Sequence, residues 1–166
     1  GDTTYGFNTT IPATTSRIFN QLAELIPFTA FTLVDGGGND TLDFSRFFSN
    51  QLIDLRDSDE SASNVYSSNI AGNIGNLTIA PGTIIERAIG GAGNDIFRGN
   101  GANNTLDGGD GWDLIRAGNG RDSINAQIWG SNTRATSTAA QSGRARTKRR
   151  AMERQLEPRP RMPCRK

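Results

Sequence analysis

The side chains able to do chemistry in this 166-residue chain are carboxylates set among glycines at a fixed interval. Between Gly90 and Asn125 the sequence divides into four windows of nine: GGAGNDIFR (90–98), GNGANNTLD (99–107), GGDGWDLIR (108–116) and AGNGRDSIN (117–125). Asp95, Asp113 and Asp122 share the sixth position, which Asn104 holds in the second window. Glycine at three of the first four positions lets the chain turn sharply with φ > 0 and aim successive carbonyls inward. Carbonyl and carboxylate oxygens together make a hard donor set, suited to Ca²⁺ rather than to Zn²⁺ or copper. The first and third windows satisfy every position of G-G-x-G-x-D-x-U-x, with U a large apolar residue, the calcium-binding nonapeptide of parallel β-helical repeats. The fourth departs only at Ala117, and the second at Asn100, Ala102 and Asn104. A flexible Gly/Asn-rich linker would share the composition but would not keep a nine-residue phase.

These turns need strands to position them, and the remaining x-U-x of each window supplies three residues of strand. Alternation sends U to one face and its neighbours to the other, so Phe97, Leu106, Ile115 and Ile124 are predicted to stack as a single inward ladder. Ordering nine residues costs roughly 13 kcal/mol at about 1.5 per residue. Burying one Leu or Ile returns only about 1.5–3 kcal/mol, and each hydrogen bond between coils adds roughly 1. Stacked carboxylates also repel one another. A repeat this poor in hydrophobes is expected to stay largely unfolded until Ca²⁺ arrives, which makes folding and binding one equilibrium.

Composition narrows the alternatives. Twenty glycines and an aromatic content of 7% favour a turn-rich, all-β architecture. With no histidine, a Ser-His-Asp triad, a His-ligated catalytic zinc and the commonest general base are all excluded from these residues. The lone Cys164 excludes an intramolecular disulfide. No apolar run approaches the length of a membrane span, and GDTTYGFN lacks the basic and apolar regions of a signal peptide. The net charge of +1 hides two unlike parts. Residues 1–133 carry 7 Lys and Arg against 15 Asp and Glu, a net of −8, whereas residues 134–166 carry 11 against 2, a net of +9. The acidic part suits divalent cations. The basic tail lacks the aromatic partners of a nucleic-acid arm, so a solvated tail is the expectation and no nucleic-acid partner is proposed.

Along the chain, Ser16 is predicted to cap a helix running through Leu25, with Ile18, Phe19, Leu22 and Leu25 on its apolar face and Pro27 ending it. Strands are predicted at 28–34, 52–55, 76–79 and 83–85. The stretch 56–68 reads as a loop with solvated Asp57, Asp59 and Glu60. Asp35-Gly36-Gly37-Gly38-Asn39-Asp40-Thr41-Leu42-Asp43 is an outlying, irregular nonapeptide whose two carboxylates suggest a separate Ca²⁺ site. Glu86, four residues ahead of the first regular window, is a candidate ligand on its N-terminal side. Three segments follow: 1–89 leading into the repeats, 90–125 carrying them, and 126–166, a basic tail expected to be disordered.

GDTTYGFN, TLVDGGGNDTLDFS, NLTIAPGTIIERAIGGAGND and the nonapeptides together resemble the C-terminal domain of serralysin-type secreted zinc metalloproteases, over roughly residues 1–125. The resemblance implies a right-handed parallel β-roll in which two nonapeptides form one coil, so turns eighteen residues apart share ions. Asp95 would then pair with Asp113, and Asn104 with Asp122. It further implies that Gly1, Thr3, Asp35, Gly37, Gly38 and Asp40 form a Ca²⁺ site at the N-terminal end. Glu86 with Gly91, Gly93 and Asp95 would form the next, then Gly108, Asp110, Gly111 and Asp113, with Gly118, Gly120 and Asp122 completing the row. The family's zinc motif, H-E-x-x-H-x-x-G-x-x-H, would lie upstream of Gly1, so Zn²⁺ is expected only in the parent's catalytic domain. The hydrophobic export signal of the family is replaced by the ending RMPCRK.

Two function classes follow. One is a calcium-binding module that stabilises a secreted, extracellular protease and supports its bacterial type I export, with several Ca²⁺ ions and the protease domain as partners. The other is a catalytic fragment, or a repeat-bearing module of another secreted enzyme such as a polysaccharide-modifying one; the absence of histidine argues against catalysis within these residues.

Overall fold

Each nonapeptide spends six residues on a turn and three on a strand, and the strand is the x-U-x triplet in all four windows. The computed structural model describes residues 1–59 and 65–125 together with the backbone of 134–136. In chain order the elements are β1 (Thr4–Gly6), α1 (Arg17–Asn20), α2 (Leu22–Leu25), β2 (Phe31–Leu33), β3 (Thr41–Asp43), β4 (Leu52–Asp54), β5 (Ser67–Ser68), β6 (Leu77–Ile79), β7 (Arg87–Ile89), β8 (Ile96–Arg98), β9 (Thr105–Asp107), β10 (Leu114–Arg116), β11 (Ser123–Asn125) and β12 (Arg134–Thr136).

Successive windows feed two parallel sheets in alternation, which is the arrangement of a β-roll. One sheet runs β1-β3-β7-β9-β11 and the other β4-β8-β10-β12. Thr105 pairs with Ser123, Ile96 with Leu114 and Arg87 with Thr105, so the step between paired strands is eighteen residues throughout the repeats. β1, β3 and β4 continue the same two sheets towards the N-terminus. A small third sheet, β2-β6-β5, lies outside this pattern.

The inward ladder is two ladders. Phe97 and Ile115 are in register in one sheet, Leu106 and Ile124 in the other. Alternate windows occupy different sheets, so a single stack is impossible. Phe97, Leu106 and Ile115 are fully buried and Ile124 is half-buried near the C-terminal edge. One apolar cluster joins them to Leu42, Ile53, Ile85 and Ala88, and on to Leu22 and Ile26.

Several local expectations need correction. The predicted helix over 16–25 is two four-residue turns, interrupted where the Gln21 N–H is shared between the Arg17 and Ile18 carbonyls. Ser16 does cap the first turn, its hydroxyl accepting from the Phe19 N–H at 3.3 Å, but Ile18 faces solvent. The strand predicted over 28–34 shrinks to β2, and Phe28 is exposed. Residues 83–85 form no strand: the Thr83 N–H closes a turn on the Ala80 carbonyl, and the strand follows as β7. Beyond Asn125, where the repeat pattern ends, the backbone pairs once more, with Arg134-Ala135-Thr136 in register with β10 at a twenty-residue step. The rest of the tail expected to be disordered lies outside the described residues. No described helix is long and apolar enough to cross a membrane.

Candidate metal centre

The sixth position of each window ends a turn and begins a strand, so parallel pairing lines these residues up in two columns. Thr3, Asp40, Glu86, Asn104 and Asp122 stand ahead of the strands of the first sheet; Gln51, Asp95 and Asp113 stand ahead of those of the second. Paired strands lie roughly 4.8 Å apart, close enough for each side chain to reach the backbone of the preceding coil. Asp40 Oδ1 accepts from the Thr3 N–H at 2.8 Å, and Glu86 Oε2 from the Asp40 N–H at 2.8 Å. Asp122 Oδ1 accepts from the Asn104 N–H at 3.1 Å. In the second column Asp95 Oδ1 accepts from the Gln51 N–H at 2.7 Å and Asp113 Oδ1 from the Asp95 N–H at 3.0 Å.

The second oxygens differ. Asp95 Oδ2 accepts from the Gly91 N–H at 3.0 Å. Asp113 Oδ2 and Asp40 Oδ2 are buried with no hydrogen-bonding partner among the described residues. Orphaned buried carboxylate oxygens are costly, and the titration of these groups reflects it. Burial pushes Asp113 up to about 7, helped by the negative charges of Asp95, Asp107 and Asp110. Burial pushes Asp95 up to about 6, against the hydrogen bonds from Gln51 and Gly91. Asp40 is raised by burial and then by Asp35 and Glu86.

Glycine is required where the turns stack. Gly109 (φ 75°) and Gly111 (φ 116°) lie in the left-handed region, and a Cβ on either would run into the Gly91 or Gly93 carbonyl oxygen of the coil before. Those carbonyls therefore lie against the Gly108–Asp113 turn, next to Asp95 and Asp113. The Asp110 carboxylate is solvent-exposed, while its N–H donates to the Gly91 carbonyl at 2.9 Å. Gly118 (φ 90°) and Gly120 (φ 119°) make the corresponding approach to Asn100 and Ala102.

At the N-terminal end, Gly1, Thr3, Asp35, Gly37, Gly38 and Asp40 are brought together. The Gly1 nitrogen donates to the Gly37 carbonyl at 3.0 Å, and Gly38 packs against Gly1. Burial favours the neutral form of Asp35, but hydrogen bonds from the Tyr5 hydroxyl (2.5 Å) and the Gly37 N–H hold its carboxyl below the usual range. Among the described residues no three Asp, Glu, His or Cys side chains converge by themselves. An ion could be held only with backbone carbonyls completing the shell, as hard cations with oxygen ligands allow. On the Asp95/Asp113 flank and at the N-terminal end the orphaned oxygens and the glycine turns fit such an ion.

The profile of the peptidase M10 serralysin C-terminal family matches residues 1–139. The chain belongs to this family. It is 45% identical over 106 residues to metallopeptidase AprA of Pseudomonas marginalis, covering 64% of this chain and 20% of the relative. Serralysin of Proteus mirabilis is 45% identical over 106 residues, covering 64% and 19%. Metalloprotease AprA of Pseudomonas entomophila is 42% identical over 106 residues, covering 64% and 20%. The matched part of the chain thus spans about a fifth of the length of these relatives.

Within this serralysin C-terminal domain one implied grouping does not form. Glu86 stands in the first column: it bonds to Asp40, and its carbonyl accepts from the Thr105 N–H at 2.8 Å. Asp95, Gly91 and Gly93 belong to the other flank, because turn 90–95 leads into the second sheet. The eighteen-residue step already placed Glu86 with Asn104 and Asp122. Gln51 escaped notice altogether. It heads the second column, is 3% exposed, and its side-chain amide has no hydrogen-bonding partner among the described residues. Its signal was its place immediately before Leu52-Ile53-Asp54, a strand triplet without a glycine turn.

Proposed function

We infer that this domain is a calcium-dependent β-roll, a module of a secreted zinc metalloprotease that folds on binding several Ca²⁺ ions and supports the stability and type I export of its parent. The catalytic zinc and the peptidase chemistry would belong to a separate domain, and the module itself would work outside the cell. The observation that carries this reading is the pair of buried carboxylate oxygens, Asp40 Oδ2 and Asp113 Oδ2, that have no hydrogen-bonding partner among the described residues and are set against glycine turns. Bound Ca²⁺ supplies the positive charge that these desolvated carboxylates lack.

The residues proposed to hold ions on one flank are Gly91, Gly93, Asp95, Gly108, Asp110, Gly111 and Asp113, with Asp110 contributing backbone. At the N-terminal end they are Gly1, Thr3, Asp35, Gly37, Gly38 and Asp40, beside Glu86. Gly118, Gly120 and Asp122 form the outermost turn. Binding joins adjacent coils, since Asp95 and Asp113 are already linked across the eighteen-residue step. Circular dichroism in chelator is expected to show little β signal, with the signal rising on addition of about 10⁻⁴–10⁻³ M Ca²⁺, the range of extracellular modules. Mg²⁺, which demands a smaller and more rigid octahedral shell, is expected to substitute poorly. A spectrum indifferent to Ca²⁺ would overturn the reading.

A further inference from the structure

The worn second window is not simply a calcium turn that has lost its ligands. Two of its three departures from the template, Asn100 and Asn104, are tied into one amide network. Asn104 Oδ1 accepts from the Asn100 N–H at 3.0 Å, and Asn100 Oδ1 accepts from the Ala102 N–H at 2.9 Å. Backbone N–H groups can only donate, so these two bonds fix the orientation of both amides. Each NH₂ must then point the other way, and it finds carbonyls there. Asn100 Nδ2 donates to the Ile85 carbonyl at 2.8 Å and to the Leu55 carbonyl at 3.2 Å. Asn104 Nδ2 donates to the Glu86 carbonyl at 3.3 Å, to the Ile85 carbonyl at 3.4 Å and to Asn100 Oδ1 at 3.1 Å.

Three backbone carbonyls from two other segments of the chain thus converge on two amide nitrogens. A cation here would confront N–H donors and displace hydrogen bonds that already satisfy the carbonyls. The acids in reach among the described residues already have oxygens engaged: Glu86 accepts from the Asp40 N–H and Asp122 from the Asn104 N–H. Asn104 is 1% exposed, so water offers its amide no alternative partners. The contrast with the flank opposite is direct: there the sixth-position Asp113 keeps a buried oxygen without a partner among the described residues, and here the sixth-position residue uses both ends of its amide.

We propose that the turn from Gly99 to Asn104 is a metal-free joint, in which the side-chain amides of Asn100 and Asn104 take the place of a calcium ion between the first column's Glu86 and Asn104 levels. The joint clamps the aperiodic segment, through Leu55, Ile85 and Glu86, to the first complete coil. Calcium then acts on the opposite flank and at the two ends, and the chain holds fewer ions than its count of nonapeptide turns. This inference rests on the calcium-dependent reading above, because an amide can replace an ion only in a fold that otherwise uses ions.

Native mass spectrometry of the full chain in saturating Ca²⁺ gives the ion count, and thermal unfolding in the same buffer gives the stability. Asn104→Ala is expected to leave the count at the wild-type value while lowering the unfolding midpoint by about 10 °C, as the loss of a few buried hydrogen bonds does in a chain this size. A count reduced by one would overturn the proposal, since Asn104 would then be a ligand. Asn104→Asp is expected to add one ion and to move the Ca²⁺ dependence of the β signal to higher concentration. An unchanged count in that variant would equally overturn it. Should Asn104→Ala fail to fold, Asn100→Ala carries the same test with the same two outcomes. A wild-type count of zero is a different failure: it removes the calcium-dependent reading, and the joint with it, whereas a positive count that drops in Asn104→Ala removes the joint alone.

Discussion

Replacing Asp113 by Asn should have opposite consequences with and without calcium, and the size of each can be worked from its surroundings. Asp113 is 2% exposed, Oδ1 accepts from the Asp95 N–H, and Oδ2 has no partner among the described residues. Its carboxyl is raised from 3.8 to about 7 by burial and neighbouring negative charge. A group raised on folding stabilises the fold below its unfolded value, and that contribution is lost as pH climbs through the folded value. At pH 8 the ionised Asp113 therefore costs the metal-free roll roughly 4 kcal/mol, at about 1.4 kcal/mol per tenfold. Asn keeps the Oδ1 acceptor for Asp95 and removes the charge. In chelator at pH 8, Asp113→Asn should recover about half of that cost, roughly 2 kcal/mol, because an NH₂ without acceptors replaces the orphaned oxygen. With Ca²⁺ present the same change removes a ligand charge and should raise the calcium midpoint at least about tenfold, or 1.4 kcal/mol. Circular dichroism against trimethylamine N-oxide in chelator measures the first effect, and a calcium titration measures the second. Equal destabilisation in both conditions would refute the reasoning, since it would make Asp113 an ordinary packing residue rather than a charge awaiting a cation.

Three further outcomes are expected. In chelator, lowering the pH from 8 to 5 should restore part of the β signal, because Asp95 and Asp113 with folded values of about 6 and about 7 take up protons only in the roll; a flat profile between pH 4 and 8 would contradict the burial of these carboxylates. Asp122→Asn should shift the calcium midpoint less than Asp113→Asn, since Asp122 is only half-buried and faces neutral Asn104 across the step; calcium titrations of the two variants decide the order. Leu106→Ala, at a fully buried position, should cost about 3 kcal/mol in saturating Ca²⁺, whereas Ile124→Ala at the half-buried edge should cost about 1, measured by urea unfolding.

The repeats were legible because each of their residues has one job. Gly at three turn positions, a sixth-position oxygen and an apolar eighth position recur with so little else that spacing alone gives the turns and the strand triplets, whereas the eighteen-residue step is implied by the family resemblance and the spacing by itself points to a single ladder. Before Gly90 the same roles are filled by residues that do not announce them. Ala88 takes the inward slot of β7 where a larger residue would have marked a strand, and the β-branched run Thr83-Ile84-Ile85 drew the strand assignment instead. Gln51 and Thr3 take the sixth position without a charge. Insertions stretch the steps between paired strands to 37 residues from Thr4 to Thr41, 46 from Thr41 to Arg87 and 44 from Leu52 to Ile96. No fixed period survives there, and the register is held by contacts that only the folded chain reveals, such as the Thr3 and Asp40 N–H groups donating to the next carboxylate along.

The columns explain why a fold with so sparse a core can still be specific. A strand of three residues makes few ladder bonds, and a slip by one whole coil would leave every x-U-x triplet facing the same way. The sixth-position side chains limit that freedom wherever one level differs from the next. In one column Thr3, Asp40, Glu86, Asn104 and Asp122 follow one another with no two neighbours alike; in the other Gln51 differs from Asp95 and Asp113, which are the same residue. A slip of one coil would exchange Asn104's amide donors with the carboxylate of Asp122, setting negative charge against the carbonyls of Ile85 and Glu86 that now receive an NH₂. Buried polar groups tolerate such exchanges poorly. The departures from the nonapeptide template that weaken it as a calcium motif are therefore what index the coils, and the regular windows, interchangeable among themselves, take their register from the irregular ones.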